Sequence, residues 1–213
     1  MEQRVGDTKQ GKAGAAAQRD LSVLFLSRVG ARRREALLAE YREAVYDRAF
    51  PDRDLAENPE DWAQYIDGKV PPPMPRTEVV LLLADGAVIG GATVEYYRQA
   101  DAGLLTYLAI AERFREKGRS RRLVLAAHKA LAEMASKSTP LFAETEKYDD
   151  HAEEDERATI IRRHRRLSAL GAYAIDFDYV MPPLRPGAEP RELHLLVLDP
   201  PDPGRTPHVS AHR

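Results

Sequence analysis

Cysteine is missing altogether from the 213 residues. That excludes disulfides, thiolate-held metals and a cysteine nucleophile. Charge of one sign is missing too. The 32 Lys and Arg are balanced by 34 Asp and Glu, a net of −2, so no overall field draws the chain to nucleic acid. Long apolar runs are absent, and nothing approaches the ~20 residues that span a bilayer as a helix. The opening segment MEQRVGDTKQGKAGAAAQRD has charge and small residues but no apolar stretch. It therefore reads as a disordered leader over residues 1–20, not a signal peptide. The closing PPDPGRTPHVSAHR, residues 200–213, reads as a disordered tail. A soluble, cytoplasmic protein with one folded domain over 21–199 is the expectation.

What is present has a regular pattern. LSVLFLSRV (21–29) reads as a strand. From Ala31 to Phe50 the apolar residues Leu37, Leu38, Tyr41, Val45 and Ala49 share one helical face, and Pro51 ends the helix. A short helix follows around Trp62 and Ile66, then a PPPMP connector. TEVVLLLA (77–84) and AVIGGATVEYY (87–97) flank Asp85-Gly86, a two-residue hairpin signal because that turn needs positive φ. LLTYLAI (104–110) is a third strand of this block. A helix from Ser120 carries an apolar stripe of Leu123, Ala127, Ala130, Leu131 and Met134. Then come a strand LFAETE (141–146), an acidic loop, and a helix over 157–170 stopped by Gly171. Two late strands complete the order, AYAIDFDYV (172–180) and RELHLLVLD (191–199). Hairpins and a strand–helix–strand crossover together predict an α+β domain with a mixed, mostly antiparallel sheet of about seven strands flanked by helices.

One segment carries chemistry on its face. Six of the ten residues Arg113–Arg122 are cationic and one is anionic. They sit between a predicted strand and a predicted helix, where free N–H groups and the positive end of the helix dipole attract anions. Gly118 lets the backbone approach closely, and Ser120 is of a good N-cap type. By charge and position alone, a phosphate cradle and a solvated basic face are equally good readings.

Arg115, Gly118 and Ser120 occupy the fixed positions of an Arg/Gln-x-x-Gly-x-Gly/Ala signature. That signature resembles the coenzyme A motif of the GCN5-related N-acetyltransferases, the GNAT superfamily. Ser120 departs from Gly/Ala but is small, and Glu112 stands where the family often has proline. The element order from Leu21 to Asp199 is similar to the superfamily's, and Leu167, Leu170 and Gly171 resemble the junction of its last helix and the next strand. The resemblance implies an acyl-CoA-dependent N-acetyltransferase. Backbone groups of Arg115, Glu116, Lys117, Gly118, Arg119 and Ser120 would hold the diphosphate of acetyl-CoA. The strands 104–110 and 141–146 would part to leave a wedge. Pantetheine would pair with the backbone of Leu108, Ala109 and Ile110, and an amine would attack the thioester directly.

Direct attack needs a neutral amine, so a base helps. Glu144 is the first candidate, at a position where some members carry a glutamate, with Glu95 a substitute. Strand alternation places Glu144 and Glu146 on one face, where two carboxylates would raise each other's pKa or attract a cation. Many members carry a general-acid tyrosine four residues before the glycine matched by Gly171. Here that residue is Leu167, which leaves Tyr148, Tyr173, Tyr179, His164 or water. The expected acceptor is a small-molecule amine, and acidic loop residues 149–156 with Tyr96 and Tyr97 could flank it. The alternative is a non-catalytic acyl-CoA-binding or regulatory module. His208 and His212 alone have helical metal spacing and lie in the tail, so no metal is expected. Arg157, Arg162, Arg163, Arg165 and Arg166 lack interleaved aromatics, so nucleic acid is not expected. The state is monomer or homodimer.

Overall fold

The computed structural model describes residues 20–52, 56–71, 73–115, 118–135, 138–148 and 153–200. The leader 1–19, the tail 201–213, Glu116, Lys117 and the acidic stretch 149–152 lie outside the described residues.

Eight strands form one sheet: β1 Leu21–Phe25, β2 Arg76–Ala84, β3 Ala87–Tyr97, β4 Ala102–Ile110, β5 Leu141–Glu146, β6 Ala172–Ala174, β7 Tyr179–Met181 and β8 Arg191–Leu198. Their order is β1-β2-β3-β4-β5-β8-β6, with β7 also on β8. Every pairing is antiparallel except β4 with β5. The expected hairpin is there, with Asp85 and Gly86 at φ 51° and 83°.

The sheet separates two apolar clusters. On one face lies α4, Arg119–Met134, which buries Leu123, Val124, Ala127, Ala130 and Leu131 against Val80, Ala92, Val94 and Leu105. On the other lie α1 (Ala31–Tyr41), α2 (Asp47–Ala49) and α3 (Trp62–Ile66), which bury Leu37, Tyr41 and Trp62 against Val79, Leu81 and Tyr107. The last long helix is α5, Glu154–Ala169.

Four boundaries differ from the sequence reading. The strand expected over 21–29 stops at Phe25 and turns into a 3₁₀ segment, Leu26–Arg28, that buries Leu26. The helix expected over 31–50 is interrupted by a wide π turn at Arg42–Tyr46, where the Asp47 N–H reaches back to the Arg42 carbonyl. α5 starts three residues before the expected 157, on Glu154, Asp155 and Glu156, whose charges suit a helix N-terminus. The strand expected over 172–180 is two short strands on the same partner, β8.

The faces are tightly coupled at Gly91. A Cβ there would lie 2.7 Å from Cε2 and 2.8 Å from Cζ of Tyr41. Tyr41 is fully buried, so its ring has nowhere to retreat. Gly91→Ala is expected to cost about 1–3 kcal/mol by overpacking. Chemical denaturation of the variant reads that loss directly; unchanged stability would mean that α1 shifts freely over the sheet.

Candidate active site

The site begins where the sheet splits. β4 and β5 pair in parallel only at Gly103↔Leu141, Leu104↔Phe142 and Leu105↔Ala143. Beyond these residues both strands continue, β4 to Ile110 and β5 to Glu146, without pairing to each other. A wedge therefore opens between them. On its far side β4 stays paired to β3 as far as Ile110↔Gly90. That pairing shifts register between Thr93 and Val94: Thr93 opposes Tyr107 and Val94 opposes Leu105, so Thr106 is the extra residue of a β-bulge. A bulge bends its strand, which here turns β4 away from β5.

The bend also settles which backbone groups face the wedge. The Ala111 N–H donates to the Ile89 carbonyl on β3, at 2.9 Å. Antiparallel strands alternate direction residue by residue, so Ala109 also turns its backbone toward β3. Leu108 and Ile110 turn theirs into the wedge. The Ile110 carbonyl receives the Arg115 Nε–H, at 3.1 Å. Arg115 thus braces the end of β4.

The basic turn follows. Gly118 precedes α4 with φ 89°, a left-handed conformation that favours glycine, and a Cβ there would meet nothing within 4 Å. The glycine thus supplies both the backbone angle and an open approach to the helix end. The first α-helical bond runs from Arg122 N–H to the Gly118 carbonyl, at 3.1 Å. The N–H groups ahead of it lie at the electropositive end of the helix. Gly118 is the N-cap, not Ser120, which sits inside the first turn. Arg119 is buried and donates to the Phe114 carbonyl at 2.7 Å, so it holds the turn's shape from beneath. An anionic diphosphate fits this donor set.

The other side of the wedge is acidic and aromatic. Glu144 is the first β5 residue past the last β4 pair, is half-buried, and accepts a hydrogen bond from the Tyr179 hydroxyl of β7. Burial raises its carboxyl pKa, against the opposing effect of that hydrogen bond. Tyr179 lies opposite Leu193 on β8, and Glu144 opposite Leu195, so both project from the same sheet face. Of the residues weighed as substitutes for the missing acid, Tyr179 is the one bonded to Glu144. Tyr148 and Tyr173 are exposed, and His164 bonds the Glu146 carbonyl oxygen at 2.8 Å.

Glu146 behaves differently from Glu144: of the two expected outcomes, mutual raising or a captured cation, it shows the second, in Arg163. Burial would raise Glu146, but its bond to Arg163 outweighs that and holds the carboxyl below the usual range. It is a paired anion, unsuited to taking a proton.

Glu95 is more perturbed than either. It is 4% exposed on β3, where the Tyr97 hydroxyl donates to its Oε2 at 2.7 Å. Burial, and then the negative charges of Glu57 and Glu144, push its pKa up to about 7. Glu57 itself was not singled out in the sequence. It precedes α3, receives the Trp62 indole N–H at 2.8 Å, and has its own pKa raised chiefly by burial. Its backbone N–H donates to the Tyr107 hydroxyl at 2.9 Å and its carbonyl accepts from Tyr46 at 3.1 Å. Tyr46 meets Trp62 and Tyr107 edge-on, as Phe50 meets Tyr107, and Trp62 lies tilted against Tyr107, with centroids 5.0–5.6 Å apart. The aromatic core thus fixes a loop carboxylate that no local motif announces. Glu95 had a signal: it is the one charge in an eleven-residue strand buried at every position from Val88 to Tyr96.

No protein-family model matches the sequence, nor does any curated protein. Solved structures do match in fold. A tandem GNAT protein from the clavulanic acid biosynthesis pathway is 16% identical with a TM-score of 0.54, over 76% of this chain and 46% of that one. A protein from Bacteroides thetaiotaomicron, assigned as a GNAT-family acetyltransferase, is 19% identical with a TM-score of 0.52, over 77% and 81%. YncA of Salmonella typhimurium, assigned as an acetyltransferase and solved with its cofactor acetyl-CoA, is 15% identical with a TM-score of 0.52, over 89% and 98%. With its split sheet, its bulged β4 and its glycine-led helix at the mouth of the wedge, this chain has the GNAT fold.

Proposed function

We propose that the chain is an N-acetyltransferase that moves an acetyl group from acetyl-CoA to the primary amine of a small molecule. The observation that carries this reading is the wedge between β4 and β5, with the Gly118 turn at one end and a raised carboxyl, Glu144, at the other. YncA, which shares the fold, is described with acetyl-CoA as its cofactor.

Bound acetyl-CoA would supply an activated acyl group. The chain's own residues do the rest. The backbone of Arg115 and Gly118 to Ser120, with the predicted Glu116 and Lys117, holds the diphosphate. Leu108 would offer its N–H and C=O, and Ile110 its N–H, to the pantetheine arm, as one strand offers them to another, while the Ile110 carbonyl stays with Arg115. Ala109, although in the same segment, contributes its side of the strand to β3. Glu144 would take the proton that the acceptor's ammonium must lose before its neutral nitrogen attacks the acyl carbon. Tyr179 would fix the carboxylate that receives it, and the sulfur, displaced as the C–N bond forms, would leave as a thiol with a proton from water. No metal enters this scheme. The folded unit is proposed to run from 21 to 199 and to act in the cytoplasm.

The test is a thermal shift followed by a thiol-release assay. Acetyl-CoA is expected to raise Tm, CoA nearly as much, and amines to release free thiol. Gly118→Val is expected to abolish the shift, because a branched side chain at positive φ strains the turn and covers the helix end. An unshifted Tm at millimolar cofactor would remove the cofactor assignment. A shift without thiol release across an amine panel would favour a non-catalytic acyl-CoA-binding module.

A further inference from the structure

Glu95 on β3 and Glu144 on β5 share one sheet face, and Glu57 before α3 is tied to that face by its N–H bond to the Tyr107 hydroxyl. Glu57 and Glu144 both act electrostatically on Glu95 and on the Tyr97 hydroxyl beside it. Among the described residues, no lysine or arginine pairs with any of the three. This contrasts with Glu146, two residues beyond Glu144, which is bonded to Arg163.

A second observation points the same way. Thr77 lies directly opposite Glu95 across β2 and β3, and Thr93 lies two residues before it on the same face. Side chains so placed are neighbours, with Cβ atoms ~5 Å apart for the opposed pair. Both threonines are buried, 2% and 0% exposed, and neither hydroxyl has a hydrogen-bond partner among the described residues. Orphaned hydroxyls in a core are costly, and natural ones are almost always satisfied. Here they flank a carboxylate. Each hydroxyl carries one O–H and two lone pairs, so it can donate to a carboxylate oxygen and still accept from a group that only donates, such as an ammonium or a water bound beneath one.

Charge balance extends the argument from one ammonium to two. The nucleophile's own ammonium can offset one carboxylate, Glu144, before it gives up its proton. Glu57 and Glu95 remain as a second acidic position, neutralised by a retained proton or by a second cation. Glu95 is level with Phe142, so Glu144 stands two strands across and two residues along from it, roughly 12 Å between backbones from which long carboxyl side chains converge. A short aliphatic chain bridges that span.

We infer that the acceptor is a small aliphatic diamine, one nitrogen presented to Glu144 at the wedge and the other held as an ammonium over Glu95, Glu57 and the Thr77–Thr93 pair. The inference rests on the acetyl-transfer reading for the first nitrogen alone. The second nitrogen's site stands on the carboxylates and threonines themselves.

Calorimetry on the full chain saturated with CoA tests it, with diaminobutane, butylamine and aminobutyrate as probes and the propane-to-hexane diamines as a length series. Diaminobutane is expected to bind roughly tenfold to a hundredfold more tightly than butylamine, the worth of one charge-assisted hydrogen-bonded contact. Aminobutyrate, whose far end is an anion, should bind more weakly than butylamine. Glu95→Gln should collapse the diamine preference toward unity. Glu57→Gln, whose amide oxygen can still accept the Trp62 indole N–H, should reduce it as well. Equal binding of diamine and monoamine overturns the inference, as does a preference that survives both substitutions. Absence of CoA binding and of thiol release with every amine would overturn acetyl transfer instead. In that event the same titrations on the chain without CoA still decide the ammonium site.

Discussion

Glu144→Gln is expected to lower kcat/KM for acetyl transfer by about a hundredfold or more at neutral pH, the usual worth of a positioned general base. Glutamine keeps the side chain's size and can still accept the Tyr179 hydroxyl, so the fold around β5 and β7 should persist. What it cannot do is take a proton. Glu144 is suited to that task because it is half-buried and its carboxyl is raised by burial, while Glu146, anchored by Arg163, is held low. The deficit should shrink as pH rises toward the amine's own pKa, because more amine arrives already neutral. Initial rates of thiol release at neutral and alkaline pH measure both effects. A variant as fast as the native chain at pH 7 would strip Glu144 of its role and leave the proton to water.

The second large effect concerns stability. Burial and the charges of Glu57 and Glu144 lift the Glu95 carboxyl from an ordinary 4.5 to about 7. A group whose folded pKa is raised favours its neutral form in the native state. Below about pH 4.5 both folded and unfolded chains carry the proton, and Glu95 costs nothing electrostatically. Between 4.5 and 7 the unfolded chain gives up its proton while the folded chain keeps it, so stability falls as pH rises. Above 7 the full penalty is present, about 3 kcal/mol for a displacement of this size. Glu95→Gln is neutral throughout. It should therefore match the native chain near pH 4 and exceed it by up to about 3 kcal/mol near pH 8. Denaturant unfolding of the two chains at each pH gives the difference. An equal effect at both pH values would show that Glu95 ionises freely in the folded state.

Most of the frame was readable before any coordinate. The Asp85-Gly86 hairpin, the apolar stripe of α4 and the strand 141–146 follow from turn chemistry and periodicity, which are local properties. The crossover from β4 through α4 to β5 required a parallel pairing, and it is there. Errors arose where local pattern is silent about partners. AYAIDFDYV alternates well enough for one strand, yet Asp176, Phe177 and Asp178 leave the ladder and stand exposed between β6 and β7. Ser120 looked like the cap because its side chain can cap; the turn instead used Gly118, whose backbone can turn left. The candidate site was half legible. The Gly118 turn and Glu144 stand out as candidates in the sequence because each sits in a recognisable strand–helix context. Glu57 was not, since its position depends on Trp62, Tyr46 and Tyr107, residues 5, 11 and 50 positions away.

The margin of β4 beyond Leu105 is left unpaired by β5. A strand edge with idle N–H and C=O groups ordinarily invites other chains to add themselves to the sheet, and proteins blunt such edges with charge, proline or brevity. β4 has none of these devices between Tyr107 and Ile110. It is protected by address: the idle margin looks inward at β5, across an opening that narrows to the joined residues Leu105 and Ala143. A neighbouring sheet approaching from outside meets β5, itself paired to β8, before it reaches this margin. The split that would offer the sheet's hydrogen bonds to a small ligand thus keeps them from neighbouring proteins.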